Sequence, residues 1–395
     1  MRIPRTLPVV LAGFAAFLDL YATQPLLPLL ARTFDASTFE VGLTITAPTV
    51  AVALFAPIIG RLADTLGLRR VIVGSCFLLA LATALAATSV TLQQLIAWRF
   101  IQGVVTPGIF AGTIAYIHEM WPPSNAGRAT GAYMTGTVLG GFTGRAVAGL
   151  VAADVNWHVS FLALGLLTLA VAFALLAWLP SERTSGRAHQ PSIHGSSLAE
   201  HLRNPQLITT YAIGFCVLFT QVAMFTYVTF YLAAPPFRLS TVALGWLFVV
   251  YLVGAVATPF GGGFIDRYGH RAGLAAAMAI GGAGALMTLV PLLPVIVVGL
   301  ALTCTGVFIA QATTSSYIGA VTTRDRALAV GLYSTFYYAG GSVGAAAPAA
   351  FWNAGGWGAC VALVVFLQAV GVAIALTFWR QADRRVPEDA FEIAP

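Results

Sequence analysis

The sequence predicts an all-α membrane protein with twelve transmembrane helices in two six-helix repeats. Of its 395 residues, 58% are hydrophobic and 9% are charged, whereas a soluble domain carries about 25% charged residues. The apolar residues form blocks of about 20 or more, the length that a helix needs to cross about 30 Å of hydrocarbon. A charged segment that begins at residue 60 recurs at residue 262. Helices are favoured over a β-barrel because barrel strands alternate over about 10 residues and these blocks do not.

Charges, proline and glycine clusters and polar turns divide the chain into candidate spans. The twelve spans cover 8–31, 42–62, 70–91, 94–118, 128–152, 157–180, 206–232, 240–264, 271–291, 293–318, 327–350 and 357–380. The first block is too long for the hydrophobic region of a signal peptide and contains Asp19, so we expect it to be a span. A polar linker at 181–205 separates a first bundle at 1–180 from a second at 206–380, and a tail follows at 381–395.

The distribution of arginine predicts the orientation of these spans. All 20 basic residues are arginine. With a cytoplasmic N-terminus, sixteen of them lie on the cytoplasmic side, two lie outside, and Arg99 and Arg145 lie within spans. An excess of basic residues in cytoplasmic loops predicts that both termini are cytoplasmic. This bias also accounts for the net charge of +6, so no nucleic-acid partner is expected.

The two halves of the chain repeat one another. The segment "GRLADTLGLRR" at 60–70 and the segment "GGFIDRYGHRA" at 262–272 share the order glycine, aspartate, glycine, arginine. The fifth and eleventh spans align at an offset of 200, with matching glycine, tyrosine and threonine positions from Gly131 and Gly331 onward. Two six-span halves of like orientation predict a substrate site between them, near the middle of the membrane.

Three segments resemble motifs of the major facilitator superfamily. The first charged turn is similar to the signature between helices two and three, at Gly60, Leu62, Ala63, Asp64, Gly67 and Arg69. The segment "LIAWRFIQG" resembles the fourth-helix motif of proton-coupled members, at Leu95, Arg99, Gln102 and Gly103. The segment "GTVLGGFTGRAVAG" resembles the fifth-helix motif of the drug-efflux branch. It departs from that motif because Gly141 replaces a proline and Arg145 replaces a small residue.

The resemblance implies a monomeric secondary transporter in a bacterial inner membrane, one that needs no cofactor or metal and works by rocker-switch alternating access. It implies proton-coupled efflux of a small organic compound, a drug or a sugar-like metabolite. Two alternatives stay open. The protein could instead be a symporter that imports a small organic anion, or a membrane sensor on the same fold that transports nothing.

The charged turns are predicted to form a cytoplasmic gate. Asp64 can accept backbone N–H groups at a helix end, and Gly60 and Gly67 allow a close approach and a tight turn. Arg69 and Arg70 can pair with acids, of which Glu119 is a candidate. Such contacts would hold the cytoplasmic side shut in one conformation and break in the other. The predicted gate comprises Gly60, Asp64, Gly67, Arg69, Arg70, Glu119, Asp266, Gly269 and Arg271.

Three ionisable residues are predicted to lie deep within spans, namely Asp19, Arg99 and Arg145. Each would cost about 2.5–3.5 kcal/mol at the centre of a bilayer, so we expect them to face a cavity or each other. Asp19 and Arg99 are the predicted proton-coupling residues. Either Asp19 binds and releases a proton, or it forms a fixed salt bridge with one of the two arginines.

Polar and aromatic side chains within the spans are the substrate-binding candidates. Gln102 and Thr106 share a helix face with Arg99, because they follow it by three and seven residues. Two buried arginines against one acid hint at an anionic or hydroxyl-rich substrate. The predicted substrate-binding residues are Tyr21, Gln24, Gln102, Thr106, Arg145, Gln221, Tyr227 and Gln311.

Enzyme and metal functions find little support in the sequence. The segment "GGSVG" at 340–344 matches a nucleophile-elbow pattern but lies within a span, without the strand and turn that the pattern requires. Close helix packing explains Gly136, Gly140, Gly144, Gly340 and Gly344 better. The histidines and the four cysteines show no metal-ligand spacing, and the cysteines are predicted to be small buried hydrophobic residues.

Overall fold

The computed structural model describes residues 6–181, 200–322 and 325–380, and these residues contain helices and no strands. The principal helices are α1 (Leu7–Leu18), α2 (Leu27–Thr33), α3 (Thr38–Leu66), α4 (Leu68–Ala86), α5 (Leu92–Met120), α6 (Pro123–Asp154), α7 (Trp157–Trp178), α8 (Pro205–Ala233), α9 (Thr241–Leu247), α10 (Val250–Tyr268), α11 (His270–Met287), α12 (Leu293–Val321), α13 (Arg326–Ala346) and α14 (Pro348–Phe378). The predicted tail and most of the predicted linker lie outside the described residues.

Helices occupy every predicted span, but not all of them meet the requirements for crossing a membrane alone. Within the described part of the chain, nine helical stretches are long and apolar enough to do so. Helix α1 has 12 residues and is too short, while α11 and α13 fall outside the nine. The protein is therefore a multi-pass helical membrane protein, and the count of twelve spans stays a prediction.

The first predicted span is not one continuous helix, which corrects the sequence-based boundary. Helix α1 ends at Leu18, and a turn leads to a short 3₁₀ helix at Gln24–Leu26 before α2 begins. Pro25 and Pro28 lack the N–H that a helix interior requires, and in a continuous helix each would clash with the carbonyl four residues earlier. Asp19 consequently lies at the end of a helix, and not in the middle of one.

Two further boundaries also differ from the prediction. The eighth span is interrupted between α9 and α10, so it is formed by two helices. The helix of the predicted eleventh span, α13, ends at Ala346, because Pro348 at the start of α14 has no N–H with which to continue the hydrogen bonds of α13. Helix α14 is kinked at Gly355 and Gly356, and Gly356 has a φ of 60°.

The predicted glycine packing is confirmed, and it recurs in both halves. A Cβ atom on Gly140 of α6 would lie 2.1 Å from the carbonyl oxygen of Phe14 in α1. At the equivalent place in the second half, a Cβ atom on Gly340 of α13 would lie 2.1 Å from the carbonyl oxygen of Phe215 in α8. Backbone contact this close allows only glycine, so the sequence repeat is also a repeat of helix packing.

The two halves contact each other near one end of the molecule. On α3, Thr46 donates a hydrogen bond to the carbonyl oxygen of Ser342 on α13 at 3.0 Å. A second close contact joins α6 to α9, where a Cβ atom on Gly149 would lie 2.7 Å from the carbonyl oxygen of Thr241. Both contacts lie away from the charged turns. Toward the charged-turn end of α6, a Cβ atom on Gly131 would meet no other group within 4 Å.

Candidate functional site

Asp19 lies in the interior of the first half, where α1 ends. Its side chain is 1% exposed, and its Oδ2 atom accepts a hydrogen bond from the hydroxyl of Thr168 on α7 at 2.9 Å. The Oδ1 atom is buried and has no hydrogen-bond partner among the described residues. No ion pair joins this carboxylate to either buried arginine within that part of the chain. The fixed salt bridge considered from the sequence is therefore absent from this conformation.

Arg99 is fully buried and bonds mainly to backbone carbonyls. Its Nη1 donates to the carbonyl oxygen of Asp19 at 2.8 Å, its Nη2 to that of Leu20 at 2.5 Å and its Nε to that of Thr44 at 3.0 Å. Nη1 also donates to Oε1 of Gln102. Because the last carbonyls of a helix lack partners within it, Arg99 supplies the donors that the break after α1 requires.

The amide of Gln102 extends this network toward α4. Its Nε2 atom donates a hydrogen bond to the hydroxyl of Thr83 at 2.9 Å. We call Asp19, Thr83, Arg99, Gln102 and Thr168 the Asp19 group. The group joins α1, α4, α5 and α7, so it belongs entirely to the first half of the chain.

Arg145 is also buried, with 3% of its surface exposed, but its surroundings differ. Its Nε donates to Oε1 of Gln24 at 2.7 Å and its Nη1 to the carbonyl oxygen of Gly141 at 2.5 Å. Its Cζ atom lies 5.2, 4.7 and 4.8 Å from the ring centroids of Tyr21, Phe248 and Tyr251. Aromatic rings at such distances attract a cation electrostatically.

We call Tyr21, Gln24, Arg145, Phe248 and Tyr251 the Arg145 group. Phe248 and Tyr251 come from the second half of the chain, at and just after the break between α9 and α10. The Gln24 amide also reaches the second half, where it donates to the hydroxyl of Thr226 at 3.3 Å. The Arg145 group is therefore built by both halves, as a site between them requires.

Gly141 and Arg145, the two departures from the fifth-helix motif, are structurally related. A Cβ atom on Gly141 would lie 3.2 Å from Nη1 of Arg145, and the guanidinium also bonds to the Gly141 carbonyl oxygen. A proline ring at position 141 would crowd the guanidinium. Glycine at 141 therefore makes room for arginine at 145.

The other predicted substrate-binding residues lie on several helices. Gln221 is buried beside Tyr251, close to the Arg145 group. Thr106 bonds to the carbonyl oxygen of Gln102 in its own helix at 2.7 Å. Tyr227 is fully buried and donates to the carbonyl oxygen of Ala345 at 3.1 Å, so it links α8 to α13. Gln311 is half-buried on α12.

Four residues of these two groups were not identified from the sequence. Thr83 and Thr168 are polar residues within apolar spans, and that position is the only signal that could have identified them. Phe248 and Tyr251 carry no such signal. Their approach to Arg145 depends on a helix break and on contact between the halves, neither of which a local pattern reveals.

The backbone of the charged turns has the conformation that their glycines predict. Gly67 has a φ of 89° and Gly269 a φ of 86°, and each ends one helix and begins the next. Glycine adopts these angles without the strain that a side chain would introduce. The side chains of Asp64 and Asp266 and the exposure of Gly60 lie outside the part of the structure that is described.

Neither Arg69 nor Arg70 pairs with Glu119, the candidate acid. Arg69 donates to the carbonyl oxygens of Leu176 and Leu179 at 2.7 and 2.6 Å, at the end of α7. The open carbonyls and dipole of that helix end attract a cation. Arg70 and Glu119 are exposed, and Glu119 has no ion pair with any described residue. In the second turn, Nε of Arg271 is buried without a hydrogen-bond partner among those residues.

Known proteins resemble this chain in sequence and in structure. The family model described as Major Facilitator Superfamily matches residues 9–250 and 223–393. The chain belongs to this superfamily. It is 33% identical over 363 residues to the "Uncharacterized MFS-type transporter YybF" of Bacillus subtilis (strain 168), covering 91% of this chain and 90% of that protein. It is 28% identical over 380 residues to the "Inner membrane transport protein YnfM" of Escherichia coli (strain K12), covering 95% and 90%.

Two solved transporter structures share the fold of this chain. A bacterial homolog of the human lysosomal transporter Spinster, in an inward-facing and unoccupied conformation, has a TM-score of 0.76 and 17% identity, covering 95% of this chain and 97% of that one. The nucleoside transporter NupG has a TM-score of 0.74 and 13% identity, covering 95% and 100%. The superfamily assignment made from the sequence is thus confirmed. The protein is a membrane transporter for small molecules, and it is not an enzyme.

Proposed function

We propose that this transporter exports a small organic compound, a drug or a sugar-like metabolite, in exchange for protons that bind to Asp19. The observation that carries the proposal is the environment of the Asp19 carboxylate. It is buried, it is not ion-paired with a described arginine, and its Oδ1 atom has no hydrogen-bond partner there. A buried charge in this condition is costly, and a bound proton removes the charge.

The contacts around Asp19 link its protonation to helix movement. Thr168 on α7 bonds to the carboxylate, while Arg99 on α5 bonds to the backbone of the same residue. A proton on the carboxylate converts it from an acceptor into a group that can also donate. The preferred arrangement of α1 relative to α7 would then differ between the two protonation states.

Alternating access is supported by where the halves touch. They are in contact at the end away from the charged turns, through α3 with α13 and α6 with α9. With the cytoplasmic orientation that the arginines predict, these contacts lie on the side of the protein that faces away from the cytoplasm. Transport then requires these contacts to separate while the charged-turn end closes.

The export direction is supported by the fifth-helix motif, which resembles that of the drug-efflux branch. One proton moving down a potential of 100 mV supplies about 2.3 kcal/mol, enough to sustain a gradient of about 50-fold. Arg145 favours a second candidate, the import of an organic anion together with a proton, because its cation has no described acid partner.

Proteoliposomes that contain a pH-sensitive dye would test the proposal. Compounds from drug, sugar and organic-acid classes that raise the melting temperature of the purified protein are added outside. Exchange for protons predicts that the lumen becomes more alkaline, whereas symport predicts that it becomes more acidic. Flux of a radiolabelled compound without any pH change would overturn proton coupling. The absence of all flux would favour the sensor alternative.

A further inference from the structure

We propose that Arg145 binds the carboxylate of an organic monocarboxylate, with the Tyr21 hydroxyl as a second donor. The inference rests on the proposed function, because it specifies the chemical class of the transported compound. It extends that function by assigning a particular anion-binding subsite to the Arg145 group.

The unused hydrogen-bond donors of Arg145 are the first observation. A guanidinium carries five N–H donors, and the described bonds of Arg145 involve only Gln24 and Gly141. Its Nη2 atom has no described partner. Arg99 provides a comparison within the same protein, because its bonds to Asp19, Leu20, Thr44 and Gln102 involve all three of its nitrogens. Arg99 is therefore fixed by the protein, whereas Arg145 retains donors for a ligand.

The absence of a nearby negative charge is the second observation. Among the described residues, the titratable groups that act on the Arg145 guanidinium are Tyr21, Tyr251 and Cys304, and none of these is ordinarily charged at neutral pH. The three aromatic rings offset part of the hydration that the cation has lost. They supply no formal negative charge, so the subsite retains a net positive charge that an anion can neutralise.

Tyr21 provides an independent indication of a ligand. Its side chain is 7% exposed, and its hydroxyl oxygen is buried without a hydrogen-bond partner among the described residues. The centroid of the same ring lies 5.2 Å from Cζ of Arg145. Buried hydroxyls normally have partners, so an unsatisfied one on a ring that packs against an incompletely bonded cation requires an explanation. One carboxylate could accept from both groups, because it has two acceptor oxygens.

The composition of the subsite favours a monoanion with an apolar part. One guanidinium balances one negative charge, which suits a monocarboxylate better than a doubly charged phosphate ester. Phe248 and Tyr251 offer aromatic surface beside that charge. Because these rings come from the second half, a ligand held by Arg145 would touch both halves, as alternating access requires.

Matched pairs of charged and neutral compounds would test the inference. Benzoate is compared with benzamide, and gluconate with glucose, by thermal unfolding of the full-length protein in detergent. We expect at least one carboxylate to raise the melting temperature more than its neutral partner. The Arg145→Gln substitution should weaken that binding about tenfold or more, because it removes a charged hydrogen-bond donor.

The Tyr21→Phe variant tests the same site without breaking a described contact of the protein. It should fold normally and bind the carboxylate about threefold to tenfold more weakly. Tyr211→Phe is the matched control, because the Tyr211 hydroxyl is also buried and unpartnered but the ring stacks on Phe336 instead. Its carboxylate binding should equal that of the wild type.

Two results would overturn the inference. One is that neither carboxylate stabilises the wild type more than its neutral partner. The other is a preference for the carboxylate that persists unchanged in both Arg145→Gln and Tyr21→Phe. These measurements use no membrane gradient, so they are independent of proton coupling. Carboxylate binding through Arg145 in a protein without proton-linked flux would support the subsite and contradict the proposed function.

Discussion

The Nη1 atom of Arg99 lies 2.8 Å from the backbone carbonyl oxygen of Asp19 and donates a hydrogen bond to it. The carboxylate of Asp19 bonds instead to Thr168. The hydrogen bond between the two residues therefore runs through the backbone and does not require a charged carboxylate, although the Arg99 cation also acts electrostatically on that carboxylate. This arrangement separates the role of Arg99 in holding the helix break from the proposed role of Asp19 in carrying a proton.

The Asp19→Asn substitution should abolish transport driven by a pH gradient, because an amide does not titrate in this range. Counterflow exchanges substrate without net proton movement, so it should persist in the same proteoliposomes. The free energy of unfolding should change by about 1 kcal/mol or less, since no described ion pair is broken. Breaking a buried pair would cost about 3–5 kcal/mol.

Asp35→Asn is a suitable control for this experiment, because Asp35 is exposed and asparagine tolerates its positive φ. It should leave driven flux and counterflow unchanged. Normal driven flux in Asp19→Asn would remove Asp19 from the coupling mechanism. A combined loss of counterflow and thermal stability would instead indicate a structural ion pair in another conformation.

Replacing Arg99 should mainly affect stability. Arg99→Gln would remove the guanidinium donors from the buried carbonyls of Asp19, Leu20 and Thr44, at a cost of about 2–5 kcal/mol. Among the described residues, the Asp19 carbonyl would keep only the N–H of Ala22. Arg99→Lys should recover only part of this loss, because one ammonium cannot reproduce the planar geometry of a guanidinium. Thermal unfolding in detergent would measure both effects. Arg128→Gln, at an exposed position, is the control and should unfold like the wild type.

Some of the architecture could be predicted from the sequence because it depends on local and repeated features. The apolar blocks identified the helices, and the spacing of Gly140 and Gly340 identified the tight packing of α6 and α13. The turn glycines Gly67 and Gly269 likewise have the positive φ that their positions require. At these four glycines, the close packing or the positive φ requires a residue without a side chain, and the repeated pattern in the sequence indicates where glycine occurs.

The candidate site was harder to predict because it depends on breaks and on contacts between distant helices. A regular first helix would have turned Tyr21 and Gln24 away from Asp19, but α1 ends at Leu18. The acceptors of Arg99 are carbonyls, which every residue carries, so no sequence pattern marks them. The aromatic rings beside Arg145 lie more than 100 residues away in the sequence.

Helix packing in the first half predicts that alanine at two glycines of α6 has different effects on stability. In Gly140→Ala, the new methyl group would meet the Phe14 carbonyl oxygen at 2.1 Å, so α1 and α6 must separate. Overpacking of this kind costs about 1–3 kcal/mol, and the melting temperature should fall. Gly131→Ala adds the same methyl group where nothing lies within 4 Å, and it should be neutral. Equal destabilisation by both substitutions would contradict the packing argument.

The first charged turn predicts a second contrast between glycines. Gly67→Ala places a side chain at a φ of 89°, which should destabilise the turn by about 1–3 kcal/mol and reduce transport. Gly74→Ala lies within α4, where a Cβ atom would meet nothing within 4 Å, and it should be neutral or stabilising. Measured flux and thermal unfolding of both variants would test this. Wild-type behaviour of Gly67→Ala would show that the turn tolerates another geometry.

The contact between α3 and α13 predicts that transport stops when the two helices are joined. The hydroxyl oxygens of Thr49 and Ser342 lie 2.9 Å apart, so cysteines introduced at both positions should form a disulfide. In the oxidised double variant, the halves cannot separate at this end, and flux should fall to the background level. Reduction should restore it. The single variants Thr49→Cys and Ser342→Cys are the controls, and oxidant should not affect their flux, because the four native cysteines are buried. Full flux through protein that is completely cross-linked, as judged by thiol titration, would rule out separation of α3 and α13 as a step of the transport cycle.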